Sequence, residues 1–207
     1  MDVETTTFVF AVLALCCLGA VGVVGIGAVA RALPGGAERF AVLRADLRRA
    51  SLGLAWIIAT TSMLGSLYLS EVAKFVPCKL CWYQRICMYP LALILGIAAA
   101  RRDRTVRVYV LPLAGIGAAI AAYHSWIQAF PPDGGSSFCT VDAPCTERYV
   151  WEFGFVSIPL MALSGFLFVI TMMLLARGED VPRPAVEPRA GDGETGAVDR
   201  EPVRSSA

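Results

Sequence analysis

The chain has 207 residues, of which 57 % are hydrophobic, and a mean hydropathy of +0.62. Ordinary soluble domains are nearer ~45–50 % apolar, so the composition excludes them and points to a bilayer. A formal net charge of +1 gives no hint of nucleic acid, which would call for a strongly basic face.

Five stretches free of Asp, Glu, Lys and Arg follow one another along the chain, and a membrane-crossing helix needs about 20 residues. The first runs from Phe8 to Ala30. Its end, Ala28-Val29-Ala30, imitates a signal-peptide cleavage site. However, Asp2 and Glu4 precede it in place of a basic region, and its apolar run exceeds the ~7–15 residues of a signal peptide. Gly25-Ile26-Gly27-Ala28-Val29-Ala30 matches a relaxed dinucleotide fingerprint by accident, because no strand precedes it. An Arg-rich connection over residues 31–51 leads to the second stretch, Leu52 to Leu69. The third is Ile86 to Ala100 with a polar lead-in from Cys78, the fourth Val108 to Phe130, and the fifth Phe153 to Ala176. Residues 177–207 are rich in Pro, Gly, Glu and Arg without an apolar run, as expected of a disordered tail.

Backbone groups in lipid must be satisfied within their own segment, and the even spacing of these stretches excludes a barrel. The expected fold is an all-α integral membrane protein. A four-helix transmembrane bundle core over residues 52–176 is joined by one additional N-terminal transmembrane helix over residues 1–30. Of the 18 basic residues, all but Lys74, Lys79, Arg85 and Arg148 fall in the first and third connections and the tail. The positive-inside rule makes that side cytoplasmic, with the N-terminus outside and the C-terminus inside a cell membrane.

The cysteines are seven. Cys16, Cys17 and Cys87 lie inside apolar stretches and read as small hydrophobic fillers. Cys78 and Cys81 fall in one outer connection and Cys139 and Cys145 in the other, facing the compartment where disulfides persist. Cys78-Lys79-Leu80-Cys81 begins a helix, with Pro77 just ahead. Unpaired N–H groups at a helix start stabilise a thiolate, the species that attacks disulfides. A CxxC also serves zinc and haem, but Trp82 stands where haem attachment needs His. A Cys139–Cys145 bridge would close a ring worth only about 2–2.5 kcal/mol by chain entropy. Preceded by the flexible Pro131–Ser137 segment, it reads better as an exchangeable pair on a mobile arm. Two purely structural disulfides, or a four-thiolate zinc site, remain open alternatives on spacing alone.

The run from Pro77 to Leu91, PCKLCWYQRICMYPL, resembles the disulfide bond formation protein B family, including its short Gram-positive-type members. So does CTERYVWEFGFVSIP, from Cys145 to Pro159, and more weakly YHSWIQ, from Tyr123 to Gln128. The likeness covers roughly residues 52–176, and the N-terminal helix and long tail depart from the family pattern. The resemblance implies a thiol:quinone oxidoreductase. An extracytoplasmic thioredoxin-fold oxidase (DsbA-like) would attack Cys139, the freed Cys145 would attack Cys78, and Cys81 would hand electrons to a membrane quinone, ubiquinone or menaquinone. The chain has no haem motif, flavin fingerprint or iron–sulfur cysteine cluster, which leaves a lipid-soluble acceptor for the electrons.

Arg85, one turn beyond Cys81, is either an interfacial cation snorkelling to head groups or, as the resemblance implies, the group that stabilises charge on the quinone. His124, the single histidine, and Gln128 one turn further are candidates for the quinone carbonyl or for proton delivery, against a plain hydrogen-bonding role. Trp82, Tyr83, Trp126 and Trp151 read first as an aromatic belt. Three rivals stand beside this reading. An enzyme resembling vitamin K epoxide reductase would carry its CxxC after the loop pair, whereas here it comes first. A carrier of reducing equivalents outward would need membrane cysteines better placed than Cys16, Cys17 and Cys87. A non-enzymatic membrane protein would hold its outer disulfides as structure only.

Overall fold

The structure, a computed structural model, describes residues 3–30, 37–131, 139 and 144–176. The tail and the Pro132–Ser137 part of the expected mobile arm lie outside the described residues. The described residues form five helices: α1 (Val3–Ala30), α2 (Ala37–Glu71), α3 (Lys79–Arg101), α4 (Arg107–Ala129) and α5 (Ile158–Leu175). Each contains a stretch long and apolar enough to cross a membrane. No strand occurs among them; the fold is the all-α membrane bundle that composition required.

Two boundaries differ from the sequence expectation, each for a local reason. α2 begins at Ala37 and takes in most of the Arg-rich connection. After Gly36, residues 37–50 contain neither Gly nor Pro and are dominated by Ala, Leu, Arg and Glu, all strong helix formers. α5 begins at Ile158, not at Phe153. Residues 152–156 form a tight reversal in which the Glu152 N–H donates to the Val156 carbonyl at 3.0 Å and the Val156 N–H donates back at 2.8 Å. Phe153 and Gly154 both take left-handed φ, 53° and 77°, a conformation that only glycine enters without steric cost. Apolarity, which located the stretch, does not register a turn made of apolar residues.

α2, α3, α4 and α5 pack in a ring, each against the next, and α1 lies outside that ring, chiefly on α5 and more sparsely on α2. The centre is filled by Leu91, Leu95, Val110, Phe166, Val169 and Met172. Leu93, Ile97, Ile116 and Ile26 are exposed, as lipid-facing side chains must be in a helix apolar all round. α4 and α5 approach closely at Gly117, where a Cβ would come within 2.3 Å of the Phe166 ring. Small residues permit such contact between membrane helices, whose association rests on packing because lipid is as apolar as their side chains.

That contact generates a stability prediction. Gly117→Ala overpacks the Phe166 site and should cost about 1–3 kcal/mol, read as a lower thermal midpoint of the detergent-solubilised protein. Gly115, whose Cβ position meets open space, serves as the control, and Gly115→Ala should not lower the midpoint.

Candidate functional site

The starts of α1, α3 and α5 and the ends of α2 and α4 meet at one end of the bundle, and the cysteine pairs gather there. Cys78 occupies the position just before α3, with extended backbone (φ −72°, ψ 172°), and its sulfur accepts the Cys81 N–H at 3.4 Å. It thus fills the capping role that Ser or Asp usually plays for the unpaired N–H groups of a first turn. Cys81 brings its own sulfur to 3.2 Å from that of Cys78, within reach of one shared hydrogen. Cys139 and Cys145 are joined in a disulfide, and among the described residues the other cysteines are free. Cys78, Leu80, Ile127 and Cys145 form one buried cluster, with Cys81 and Cys139 packed against it. All four outer cysteines therefore occupy a single site.

His124, from α4 and only 1 % exposed, sits between the pairs. Its Nε2 lies 3.0 Å from the Cys145 carbonyl oxygen and 3.7 Å from the Cys78 sulfur. A carbonyl can only accept, so Nε2 carries a hydrogen, and Nδ1 receives the Gln84 amide at 3.0 Å. The shared hydrogen between the sulfurs belongs on Cys81, because the Cys78 sulfur already faces the Cys81 N–H and the imidazole. The Cys81 hydrogen bond does most to pull the Cys78 thiol down, from its ordinary 9.0 to about 4. Burial opposes that shift, and His124 and the Cys81 N–H add to it.

Gln128, one turn beyond His124, donates its amide N–H to the Glu147 carbonyl at 2.8 Å, while its backbone carbonyl accepts from Arg148. Its Oε1 is buried without a hydrogen-bond partner. Arg85 is fastened to α2: Nε donates to the Ser66 hydroxyl at 2.8 Å and Nη2 to the Ser66 carbonyl at 2.9 Å. The Trp82 ring covers the guanidinium at 5.2 Å, and the Tyr89 hydroxyl reaches Ser66 at 3.5 Å. Such a clamp differs from a side chain snorkelling freely to head groups. Trp82, Tyr83, Trp126 and Trp151 are exposed around this end.

A cavity of about 150 Å³ opens on the cluster. Cys78, Cys81, His124 and Gln128 line its cysteine end, and it continues between the helices past Arg85 to Met88. An apolar cavity of ~150 Å³ holds a benzene ring, so the space suits a flat six-membered ring.

Sequence reasoning did not single out Gln84 or Ser66. Gln84 was visible as a polar residue three positions after Cys81. Ser62, Ser66 and Ser70 recur at intervals of four, one polar stripe along an otherwise apolar helix. The ligand atoms of Cys78, Cys81 and His124 lie within 4.8 Å of one another, close enough to be weighed as a metal site. Both His124 nitrogens are committed to Gln84 and Cys145, and the Cys139–Cys145 bond leaves those sulfurs unable to act as thiolates, so the donor set does not suit tetrahedral zinc.

The model of the family described as "Disulfide bond formation protein DsbB" matches residues 48–176. Disulfide bond formation protein C of Bacillus subtilis (strain 168) is 51 % identical over 124 residues, which are 60 % of this chain and 90 % of that protein. A Bacillus anthracis protein named "Probable disulfide formation protein C 2" is 47 % identical over 129 residues, 62 % of this chain and 91 % of its own length. No solved structure matches. With its cysteine pairs in one cluster and all of α3, α4 and α5 and most of α2 within the matched residues, the chain belongs to the DsbB family of disulfide bond formation proteins.

Proposed function

We propose that the chain oxidises the dithiol of an extracytoplasmic thioredoxin-fold oxidase and passes the electron pair to a membrane quinone, so sustaining disulfide formation in exported proteins. The observation that carries this reading is the packing of a loop disulfide and a CxxC dithiol in one buried cluster at the mouth of a ring-sized apolar cavity. The Arg-poor end that bears the cysteines faces outside in this reading, and the Arg-rich end faces the cytoplasm.

The cycle begins when a partner thiolate attacks Cys139, forming a mixed disulfide and releasing Cys145 as a thiolate. Cys145 attacks Cys78 of the oxidised CxxC, and Cys81 leaves as a thiolate. The second partner thiol then displaces Cys139, which closes back on Cys145 and frees Cys78. The partner departs oxidised, and the electron pair rests on Cys78 and Cys81. This is the arrangement of bonds seen here, with the loop disulfide closed and the CxxC open. His124 supports the middle step, since it touches both the Cys145 carbonyl and the Cys78 sulfur. While Cys78 is bonded to Cys145 it carries no charge, so the thiolate facing the cavity is then Cys81.

Two features of the cavity fit a quinone, its ring-sized volume and its apolar walls, and the buried Gln128 Oε1 that lacks a donor fits an O–H of the reduced ring. When bound, a quinone would supply the acceptor for two electrons and two protons. Arg85, pinned by Ser66, holds a fixed positive charge one turn from Cys81, preorganised for negative charge developing on an acceptor oxygen. Gln128 Oε1 can accept only an O–H or N–H, so it favours a hydroxylated ring. A purely structural role for the cysteines does not call for two free sulfurs 3.2 Å apart beside an imidazole in a disulfide-forming compartment.

The direct test mixes the purified chain with a reduced thioredoxin-fold oxidase and a soluble quinone and follows quinone absorbance. Turnover is expected from the unaltered protein. Cys81→Ser should lose at least about a thousandfold, on the scale of removing a nucleophile. No turnover by the unaltered chain, with partner and quinone shown competent, would sink the proposal.

The Cys78 shift gives a pH test. A thiol near its ordinary 9.0 loses thiolate about tenfold for each unit below pH 8. With its value at about 4, Cys78 stays a thiolate above that pH and is protonated as the pH falls through it. Iodoacetamide labelling of Cys78, read by peptide mass spectrometry, should run nearly as fast at pH 6 as at pH 8. Cys81→Ala, which removes the main hydrogen-bond donor, should move the onset of labelling to higher pH.

A further inference from the structure

α1 lies wholly outside the residues that match the family, yet it contributes to the same cavity. Phe10, Leu13, Ala14 and Cys17 line it, at the spacing that places residues on one helix face. Ala14 and Cys17 are buried, whereas Val9, Val12 and Cys16 on other faces are exposed. The helix is also secured at the cysteine end. Thr7 shares its hydroxyl hydrogen between the Glu4 carbonyl of its own helix at 2.9 Å and Glu152 Oε1 at 3.1 Å, Thr6 reaches the Tyr68 hydroxyl at 3.5 Å, and the Phe8 and Phe153 rings lie 5.5 Å apart. Against α2 the closing contact is Phe10 on Gly65, where a Cβ would come within 2.8 Å of the ring. Only a residue without a side chain lets that ring settle against the α2 backbone.

Resting on the quinone reading above, we infer that α1 is the wall against which the acceptor's apolar tail lies, making Phe10 and Ala14 specificity-determining residues for a long-chain acceptor. The head group would sit at the cysteine end beside Gln128. The lining face from Phe10 to Cys17 extends about 10 Å along the helix axis, at 1.5 Å per residue, away from that end into the apolar depth. A chain attached to the ring would follow this face toward the apolar depth. A helix serving only as an anchor would have no reason to present one face to the cavity and to meet a glycine opposite its phenylalanine.

The test uses the full-length purified chain with saturating reduced partner oxidase and compares a tail-less soluble quinone with one bearing a ten-carbon chain. Ala14→Phe fills the wall from the α1 side. Its KM for the long-chain quinone should rise about tenfold, the scale on which apolar pockets discriminate by a methylene or more, with a shift under about twofold for the tail-less one. Phe10→Ala, which removes bulk instead of adding it, should raise the long-chain KM at least about threefold by loss of apolar contact. Val12→Phe, on an exposed face, is the control and should alter neither. Helical circular dichroism and an intact Cys139–Cys145 bridge report that each variant is folded. Equal effects on both quinones, or none on either, would overturn the α1 assignment while leaving the quinone reading in place. Failure of the unaltered chain to reduce either quinone overturns both.

Discussion

The imidazole of His124 is the tie on which the arrangement of the site depends. It is buried on α4, receives a hydrogen bond from Gln84 on α3 and gives one to the Cys145 carbonyl. A helix start and a loop disulfide far away in sequence are thereby held to the same ring. In a low-dielectric interior such a bond is worth more than at a surface, and an unpaired imidazole nitrogen would carry a heavy desolvation cost. The satisfied state and the gathered cysteines are consequently one and the same geometry. Gln128 repeats the device one turn away, binding the Glu147 carbonyl and so fixing the segment that follows Cys145.

The bilayer explains why the few polar groups at this end carry so much of the helix pairing. Helices that are apolar on both faces have little hydrophobic incentive to prefer one partner over another, so specificity falls to close packing and to the few polar groups they contain. Gly117 under Phe166 and Gly65 under Phe10 are the packing contributions. Ser66 clamping Arg85 is the polar one, and it links α2 to α3 through a cation whose position would otherwise be set only by water.

The five helices were legible because hydropathy reports burial in lipid directly, and charge marked most of their ends. The start of α5 was not, since the reversal at Phe153 and Gly154 is built from residues as apolar as the helix it precedes. α2 ran past its hydrophobic limit because helix propensity continues where hydropathy stops. At the site, the cysteines, Arg85, His124 and Gln128 stood out by chemistry, and the structure draws Cys78, Cys81, His124 and Gln128 to one cavity together with Arg85. Their supports did not stand out. Gln84 and Ser66 matter only through what faces them, and a single sequence does not say which faces meet. For the same reason α1, read as an added span of unknown use, gave no sign that one of its faces would line the cavity.

Cys78 is at once the acceptor that finishes the first turn of α3 and a sulfur that forms and breaks bonds in the proposed cycle. An anionic sulfur accepts N–H groups strongly, whereas one bonded to another sulfur is neutral and accepts weakly. The opening turn of that helix is therefore held by a charge-assisted hydrogen bond when the chain holds its electron pair and by a covalent bond between Cys78 and Cys81 once the pair has left. Backbone geometry at this point would follow oxidation state, which gives a docking protein a shape to read without any additional moving part.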